Sequence, residues 1–444
     1  MFERLFRLRE NNTSVHTEFI AGTTTFLAMA YIIFLQPAIL SQAGMDFGAV
    51  MMATCLSSAI ACAVMAFAAN YPIALAPGMG ENFYFVFTVV LGMGIAWEKA
   101  LGAVFLSGLV FIVLTVFRIR HLIIDAIPDT LKTAIPAAIG LFITFIGLVY
   151  AGIVVKSPGG VVELGNLHSP PTLLALAGLG ITLLLMARNV TGALLIGMLL
   201  TAVIGLASGI TEYTGIIAPP PPISPTFLKL DIAGALELGI FTVLVIFLLM
   251  DLLDTIGTFI GVTHATGIAK DGEIPRVSQA LFADALGTMA GALLGTSTVT
   301  SYIESTTGVR EGGRTGLTAL TVGFWMIVAI FFQPLVAMVG GGVPVYAADG
   351  SLSTTLYPVC ASALILVGSF MASSMTLCKW DDLTEAVPAF MTIAGMALTY
   401  SIGNGLAFGF ILYPLVKLMA GRGREVSWVM YLLGGIFLVK FAVM

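Results

Sequence analysis

Five carboxylates, Glu81, Asp251, Asp254, Asp284 and Glu304, stand in or beside runs of apolar residues long enough to cross a membrane. An acid at the middle of such a run costs about 2.5 to 3.5 kcal/mol on insertion scales, so each needs a task or a partner. Asp251 and Asp254 are three residues apart and share a helical face with Thr255 and Thr258. A carboxylate there can accept hydrogen bonds from the ring N–H groups of a neutral heterocycle and bind base and proton together. The alternative for both is an acid satisfied by Thr hydroxyls or backbone amides. Glu304 either caps the helix that follows it or hydrogen-bonds a ligand. Asp284, in Ala283-Asp284-Ala285-Leu286-Gly287, reads as a network or proton-relay residue, or as a purely structural one.

Two of these acids sit where their apolar segment breaks. Tyr71-Pro72-Ile73-Ala74-Leu75-Ala76 looks extended, then Pro77-Gly78-Met79-Gly80-Glu81-Asn82 interrupts it before an apolar helix. Thr296-Ser297-Thr298-Val299-Thr300-Ser301-Tyr302 is rich in β-branched and hydroxyl residues and runs into Ile303-Glu304-Ser305-Thr306-Thr307-Gly308. Non-helical backbone at membrane depth persists only where protein or a watery cavity satisfies it. We therefore expect a short strand at each break, the two paired antiparallel, each feeding a half-helix whose N-terminus faces a ligand.

The surroundings of these breaks are those of a membrane protein. The chain is 58% hydrophobic and 10% charged over 444 residues, which excludes a water-soluble globule. Apolar windows place spans at 18–40, 47–69, 72–90, 98–117, 131–152, 171–188, 190–209, 235–262, 277–294, 297–311, 315–339, 355–375, 384–400 and 402–420. A further stretch, 426–443, either crosses, lies at the interface, or marks an earlier span split wrongly. Of the 19 Lys and Arg, all but Lys99, Lys156, Lys229 and the unassigned Lys440 fall on the side of the N-terminus, which this bias makes cytoplasmic. Seven spans per half force the second half to enter upside down, as in inverted-repeat transporters. The fold class is thus all-α and polytopic, fourteen spans as a 7+7 inverted repeat with short β-strands in the third and tenth.

Other classes find no support. Met1 to Thr17 lacks the pattern of a removable signal peptide. Cys55, Cys62, Cys360 and Cys378 show no close pairing and read as packing thiols, while His16, His121, His168 and His264 fall in loops or at span ends. No catalytic motif, metal cluster or cofactor signature is present, and a net charge of −5 makes no case for nucleic acid. Pro219-Pro220-Pro221-Pro222, with Pro225, reads as a stiff external linker.

The stretches Ala76-Pro77-Gly78-Met79-Gly80-Glu81-Asn82-Phe83-Tyr84-Phe85, Leu253-Asp254-Thr255-Ile256-Gly257-Thr258 and Glu304-Ser305-Thr306-Thr307-Gly308, then Glu311-Gly312-Gly313-Arg314-Thr315-Gly316, carry a resemblance. With the opening Ala21-Gly22-Thr23-Thr24-Thr25-Phe26-Leu27-Ala28-Met29-Ala30-Tyr31, the chain resembles the adenine/guanine/hypoxanthine permease branch of the nucleobase/ascorbate transporter superfamily along nearly its whole length. That resemblance implies proton symport of a purine, elevator-like alternating access and a homodimer in the cell (inner) membrane. It implies a core domain of spans 1–4 and 8–11 (1–120 and 235–340) moving against a gate domain of spans 5–7 and 12–14 (121–212 and 341–444), with 213–234 as the external linker.

By motif position, substrate contacts fall on Asp254, Glu304, Asn82, Gly80 and Tyr302, to which Thr258 and Ser305 are added as neighbours. Proton coupling falls on Asp254, Glu304, Asp284 and Glu81. Glu81 stands where relatives usually carry an apolar residue, and Phe83 where Ala is common. Ser305 replaces the Asn of the xanthine and uracil branches, which weakens that alternative. An anion carrier of the same architecture is a further alternative, but acids rather than Lys or Arg stand at the breaks.

Overall fold

Lipid offers backbone N–H and C=O groups no partner, so these apolar runs pair their own backbone as helices. A computed structural model describes residues 2–117, 126–157, 159–237, 241–266, 276–346 and 352–443. Arg118, Arg120, His121 and Lys270 lie outside the described residues, as do the side chains of His264 and Lys440.

The first half runs α1 (Val15–Ala43), α2 (Phe47–Ala69), β1 (Leu75–Pro77), α3 (Met79–Met93), α4 (Trp97–Val116) and α5 (Asp129–Tyr150). A hairpin, β2 (Val154–Lys156) and β3 (Val162–Leu164), then leads to α6 (Pro170–Ala187) and α7 (Ala193–Ala207). The second half repeats the plan with α8 (Phe241–Thr266), α9 (Val277–Leu294), β4 (Val299–Ser301), α10 (Ser305–Arg310) and α11 (Gly316–Gly340). A hairpin, β5 (Val343–Tyr346) and β6 (Leu352–Leu356), precedes α12 (Pro358–Leu377), α13 (Leu383–Leu398) and α14 (Ile402–Met419). All fourteen expected segments are there, the tenth as strand plus a six-residue helix. The expected start of the eighth at 235 is corrected: Ile232–Ala235 is a separate turn of helix capped by Asp231.

The two halves run in opposite directions. Strands β1 and β4 pair antiparallel, Leu75 opposite Ser301, Ala76 opposite Thr300 and Pro77 opposite Val299. Helix contacts obey the same symmetry: α4 packs on α9 as α11 packs on α2, and α5 packs on α13 as α12 packs on α6. The linker crosses the end of the bundle that carries both hairpins, where the Ala218 amide donates to the Phe331 carbonyl at 3.0 Å and that of Leu228 to Leu293 at 2.8 Å.

A two-strand crossing leaves one edge of each strand to be satisfied by neighbours. Cys62 on α2 takes both groups of Leu75: its Sγ accepts from the amide at 3.2 Å and lies 3.5 Å from the carbonyl. Thr288, at the corresponding place on α9, does the same for Val299, with its Oγ1 3.2 Å from the amide and 3.0 Å from the carbonyl. Cys62 is therefore more than the packing thiol expected from its surroundings.

Glu18, an acid the sequence reading passed over at the start of the first span, is fully buried. Its carboxylate accepts from the amides of Arg314, Thr315 and Thr318 and from the Thr318 hydroxyl, at 2.6 to 3.3 Å. An anion thus sits on the N-terminus of α11 and ties α1 to it.

Residues 426–443 form α15 (Trp428–Val443), which returns antiparallel along α14: Phe437 lies 5.5 Å from Phe410 and Phe441 5.9 Å from Phe408. The turn between them is clasped by ion pairs of Lys417 with Glu385 (2.7 Å) and of Arg422 with Asp382 (2.7 Å), the latter holding the Asp382 carboxyl well below the usual carboxylate range. Lys417, one of the cations that the charge bias places on the side of the N-terminus, is buried within α14.

Two substitutions test these supports. Thr288→Val strands a buried amide and carbonyl and should lower stability by about 1 to 3 kcal/mol, with Thr288→Ser retaining it, read as the temperature at which the purified protein aggregates. Glu18→Ala should cost about 2 to 4 kcal/mol by the same measurement, because four bonds to a charged group are lost together.

Candidate functional site

Because α3 and α10 start at the strand crossing, their first residues meet at one depth inside the bundle. Gly78 caps α3 and Glu81 stands in its first turn. A Cβ on Gly78 would lie 2.2 Å from the Glu81 carboxylate and 2.6 Å from Thr300 Cγ2, so the close approach of α3 to β4 requires glycine there. Glu304 occupies the equivalent cap position of α10.

A small cavity opens in front of this crossing. One wall is made by Tyr31 of α1, Gly78 to Glu81, and Met250, Leu253, Asp254 and Thr258 of α8, with Ser301 to Glu304. The facing wall is apolar: Ile135, Pro136 and Ile139 of α5, and Val367 and Met371 of α12. The two walls come close at Gly80, where a Cβ would stand 3.2 Å from Ile139 Cγ2.

Three carboxylates share this cavity. Asp254 is partly exposed to it and accepts from the Thr300 hydroxyl at 2.9 Å. Glu304, also partly exposed, accepts from the Tyr31 hydroxyl at 2.7 Å. Glu81 is 2% exposed, its carboxylate turned back on the first turn of its own helix. The Tyr302 hydroxyl donates to the Pro77 carbonyl at 2.5 Å, which fixes its ring as part of the wall.

Asp284 lies one layer behind, accepting from Thr255 at 2.9 Å and from the wall residue Ser301 at 3.1 Å. Asp251, facing α9, has the Thr288 hydroxyl at 3.5 Å, while its Oδ1 has no hydrogen-bond partner among the described residues.

Of the residues singled out from sequence, the structure brings Gly80, Glu81, Asp254, Thr258, Tyr302 and Glu304 to one cavity. Asn82 and Ser305 are fully buried beside it and line none of it. The Asn82 carbonyl accepts from Ser297, which with Thr296 also receives the Gln36 amide, and the Ser305 hydroxyl accepts from the Ala74 amide at 3.0 Å. Their place is in holding the crossing. Tyr31 went unassigned because a tyrosine in an apolar run carries no signal of its own. The α5 and α12 residues were illegible for the same reason, although Pro136 in mid-span was a visible irregularity. Among the described residues no group of three or more His, Cys, Asp or Glu is placed to hold a metal.

Two inverted halves, crossed strands and an acidic cavity at the crossing define a membrane transporter of the inverted-repeat class. The chain belongs to the permease family, whose model (Xan_ur_permease) matches residues 16–408. It is 43% identical over 441 residues to the adenine permease AdeP of Escherichia coli (strain K12), covering 99% of this chain and 96% of that one. It is 42% identical over 448 residues to the guanine/hypoxanthine permease PbuO of Bacillus subtilis (strain 168), covering 99% and 100%. In fold it is similar to the transmembrane domain of a cyanobacterium bicarbonate transporter, BicA, with a TM-score of 0.63 at 16% identity over 89% of this chain and 97% of that one.

The facing walls can be tested without any ligand. A Gly80→Cys, Ile139→Cys double variant should form a disulfide on mild oxidation, seen as maleimide labelling that returns only after reduction. Labelling unchanged by oxidant would mean that α3 and α5 do not meet at this level.

Proposed function

We propose that the chain imports purine nucleobases, adenine, guanine or hypoxanthine, by proton symport across the cell (inner) membrane with its N-terminus cytoplasmic. The observation that carries the reading is the convergence of Asp254 and Glu304 on one cavity at the strand crossing. A neutral purine is planar, presents N–H donors on its edge, and suits a slot walled by the Tyr302 ring and by Ile139 and Met250. Its N–H groups donate to Asp254 and Glu304, each already oriented by one hydroxyl, Thr300 and Tyr31. The first turn of α3, at Gly80, faces the acceptor edge. Relatives bearing adenine and guanine/hypoxanthine names over their full lengths support the same substrate class.

A proton taken up on one of the cavity acids offsets the charge of the site, with Asp284 behind Ser301 as its relay. Each net charge moving inward gains about 2.3 kcal/mol per 100 mV, which is more than a tenfold accumulation. Movement follows from the walls: α1–α4 and α8–α11 carry the site, and α5–α7 with α12–α14 supply the apolar surface it slides against. An anion exchanger is disfavoured by the three carboxylates, since a bound anion meets no cation at the cavity wall.

The test is uptake of labelled adenine, guanine and hypoxanthine by a purine-transport-deficient bacterium expressing the chain, with and without a protonophore. We expect protonophore-sensitive uptake, lowered by Asp254→Asn or Glu304→Gln about 10- to 150-fold, the value of a bond to a charged group. Tyr31→Phe, which leaves Glu304 in place but unoriented, should lower it about three- to tenfold. Wild-type uptake of none of the three bases by inserted protein would overturn the reading.

A further inference from the structure

We infer that the cavity beneath the β2–β3 hairpin is an entry site for the transported planar base, separated from the central cavity by a seal of aromatic rings whose movable member is Tyr400. The inference rests on the purine reading above.

Helix α5 walls two cavities at successive levels. Ile135, Pro136 and Ile139 face the central one, whereas Phe145 and Val149 face a second, shared with the hairpin residues Val155 and Lys156, and with Leu398 and Tyr400. Phe145 is six residues beyond Ile139, about 9 Å along the helix and about 120° around it, so the second space lies one level further along α5 on an adjoining face.

What separates them is a set of rings. Phe142, between the two levels of α5, meets Phe83 of α3 edge-on at 6.3 Å and Tyr400 edge-on at 5.5 Å. Phe87 stacks on Phe83 at 5.6 Å and meets Tyr400 edge-on, also at 5.6 Å. Phe83 and Phe142 are fully buried, while Tyr400 is 38% exposed and has Phe145 at 6.0 Å on its other side.

The rings are not equally free. Phe83, Phe87, Phe142 and Phe145 are carried by helices α3 and α5. Tyr400 stands on the short turn between α13 and α14 with φ +53°, a left-handed backbone that a tyrosine seldom adopts. It belongs both to the ring layer and to the wall of the second cavity. Alternating access requires a barrier between the site and one face of the membrane.

The walls also name the occupant. Phe145 and Tyr400 offer ring faces and edges to a flat heterocycle, and Lys156 at the lip can donate to a ring nitrogen or carbonyl of a neutral base.

The experiment uses Val155→Cys as a reporter in the full chain, in sonicated membrane fragments where both faces are reachable, labelled with a hydrophilic maleimide in the presence of adenine or hypoxanthine. The reporter is combined with Asp254→Asn, which removes tight binding in the central cavity. We expect the bases to slow labelling at least fivefold in this background, Tyr400→Phe to keep that protection and Tyr400→Ala to abolish it. A single symmetrical size-exclusion peak for each detergent-solubilised variant shows that it is folded. Protection seen with Asp254 intact but absent in the Asp254→Asn background would overturn the entry site while leaving purine transport standing, and would leave the cavity to lipid chains. A wild-type chain that neither accumulates purine nor shows protection overturns both readings.

Discussion

Everything at the centre of this protein depends on satisfying a few backbone groups where lipid and water are both excluded. Two chain segments abandon the helix at membrane depth, and their amides and carbonyls survive only because β1 and β4 pair with each other and because Cys62 and Thr288 take up the first residue of each strand. An unsatisfied group there costs several kcal/mol. The crossing is therefore rigid, and rigidity is what lets it hold acids. Gln36, Ser297, Asn82 and Ser305 extend the same network outward, which explains why polar side chains crowd a region otherwise made of Ile, Leu, Val and Phe.

From that crossing the functional geometry follows with little further choice. A strand that ends at membrane depth must hand its chain to a helix, and the helix start points its first turn at the space in front of the pair. Gly78 and Gly80 keep that space narrow, and Glu304 stands at the cap position that Gly78 occupies in the other half, with Glu81 one turn further into α3. Asp254 arrives from α8, the helix whose partner under the repeat, α1, supplies Tyr31. The opposing wall is apolar, and an apolar wall can slide past an acidic one without breaking ion pairs. The charged clasp of Lys417, Glu385, Arg422 and Asp382 is kept away from this boundary, at the turn between α14 and α15.

The rings above the cavity belong to the same logic. Aromatic side chains exclude water over a large area, and their edge-on contacts are among the preferred geometries of ring pairs. Tyr400, on a turn rather than a helix, is where such a layer gives way.

How much of this was legible beforehand depended on whether the deciding physics was local. Membrane insertion, the fourteen segments and the inverted halves are properties of composition and of apolar run length, because the hydrocarbon thickness sets segment length whatever the neighbours are. The two breaks were visible because β-branched, hydroxyl, Pro and Gly residues interrupt those runs, and the acids at them because an acid in lipid is expensive wherever it sits. What the chain order alone could not decide was which side chains meet across 200 and more residues. Tyr31 with Glu304 and Phe142 with Tyr400 are such pairs, brought together by packing of the two halves, whereas Thr300 and Asp254 meet by packing within the second half. The placing of Asn82 and Ser305 behind the cavity wall was decided in the same way, since a half-helix turns each successive residue by about 100° and only its neighbours determine which direction is open. So too for 426–443: apolarity allowed it several places, and the contact of Phe437 and Phe441 with α14 selected one.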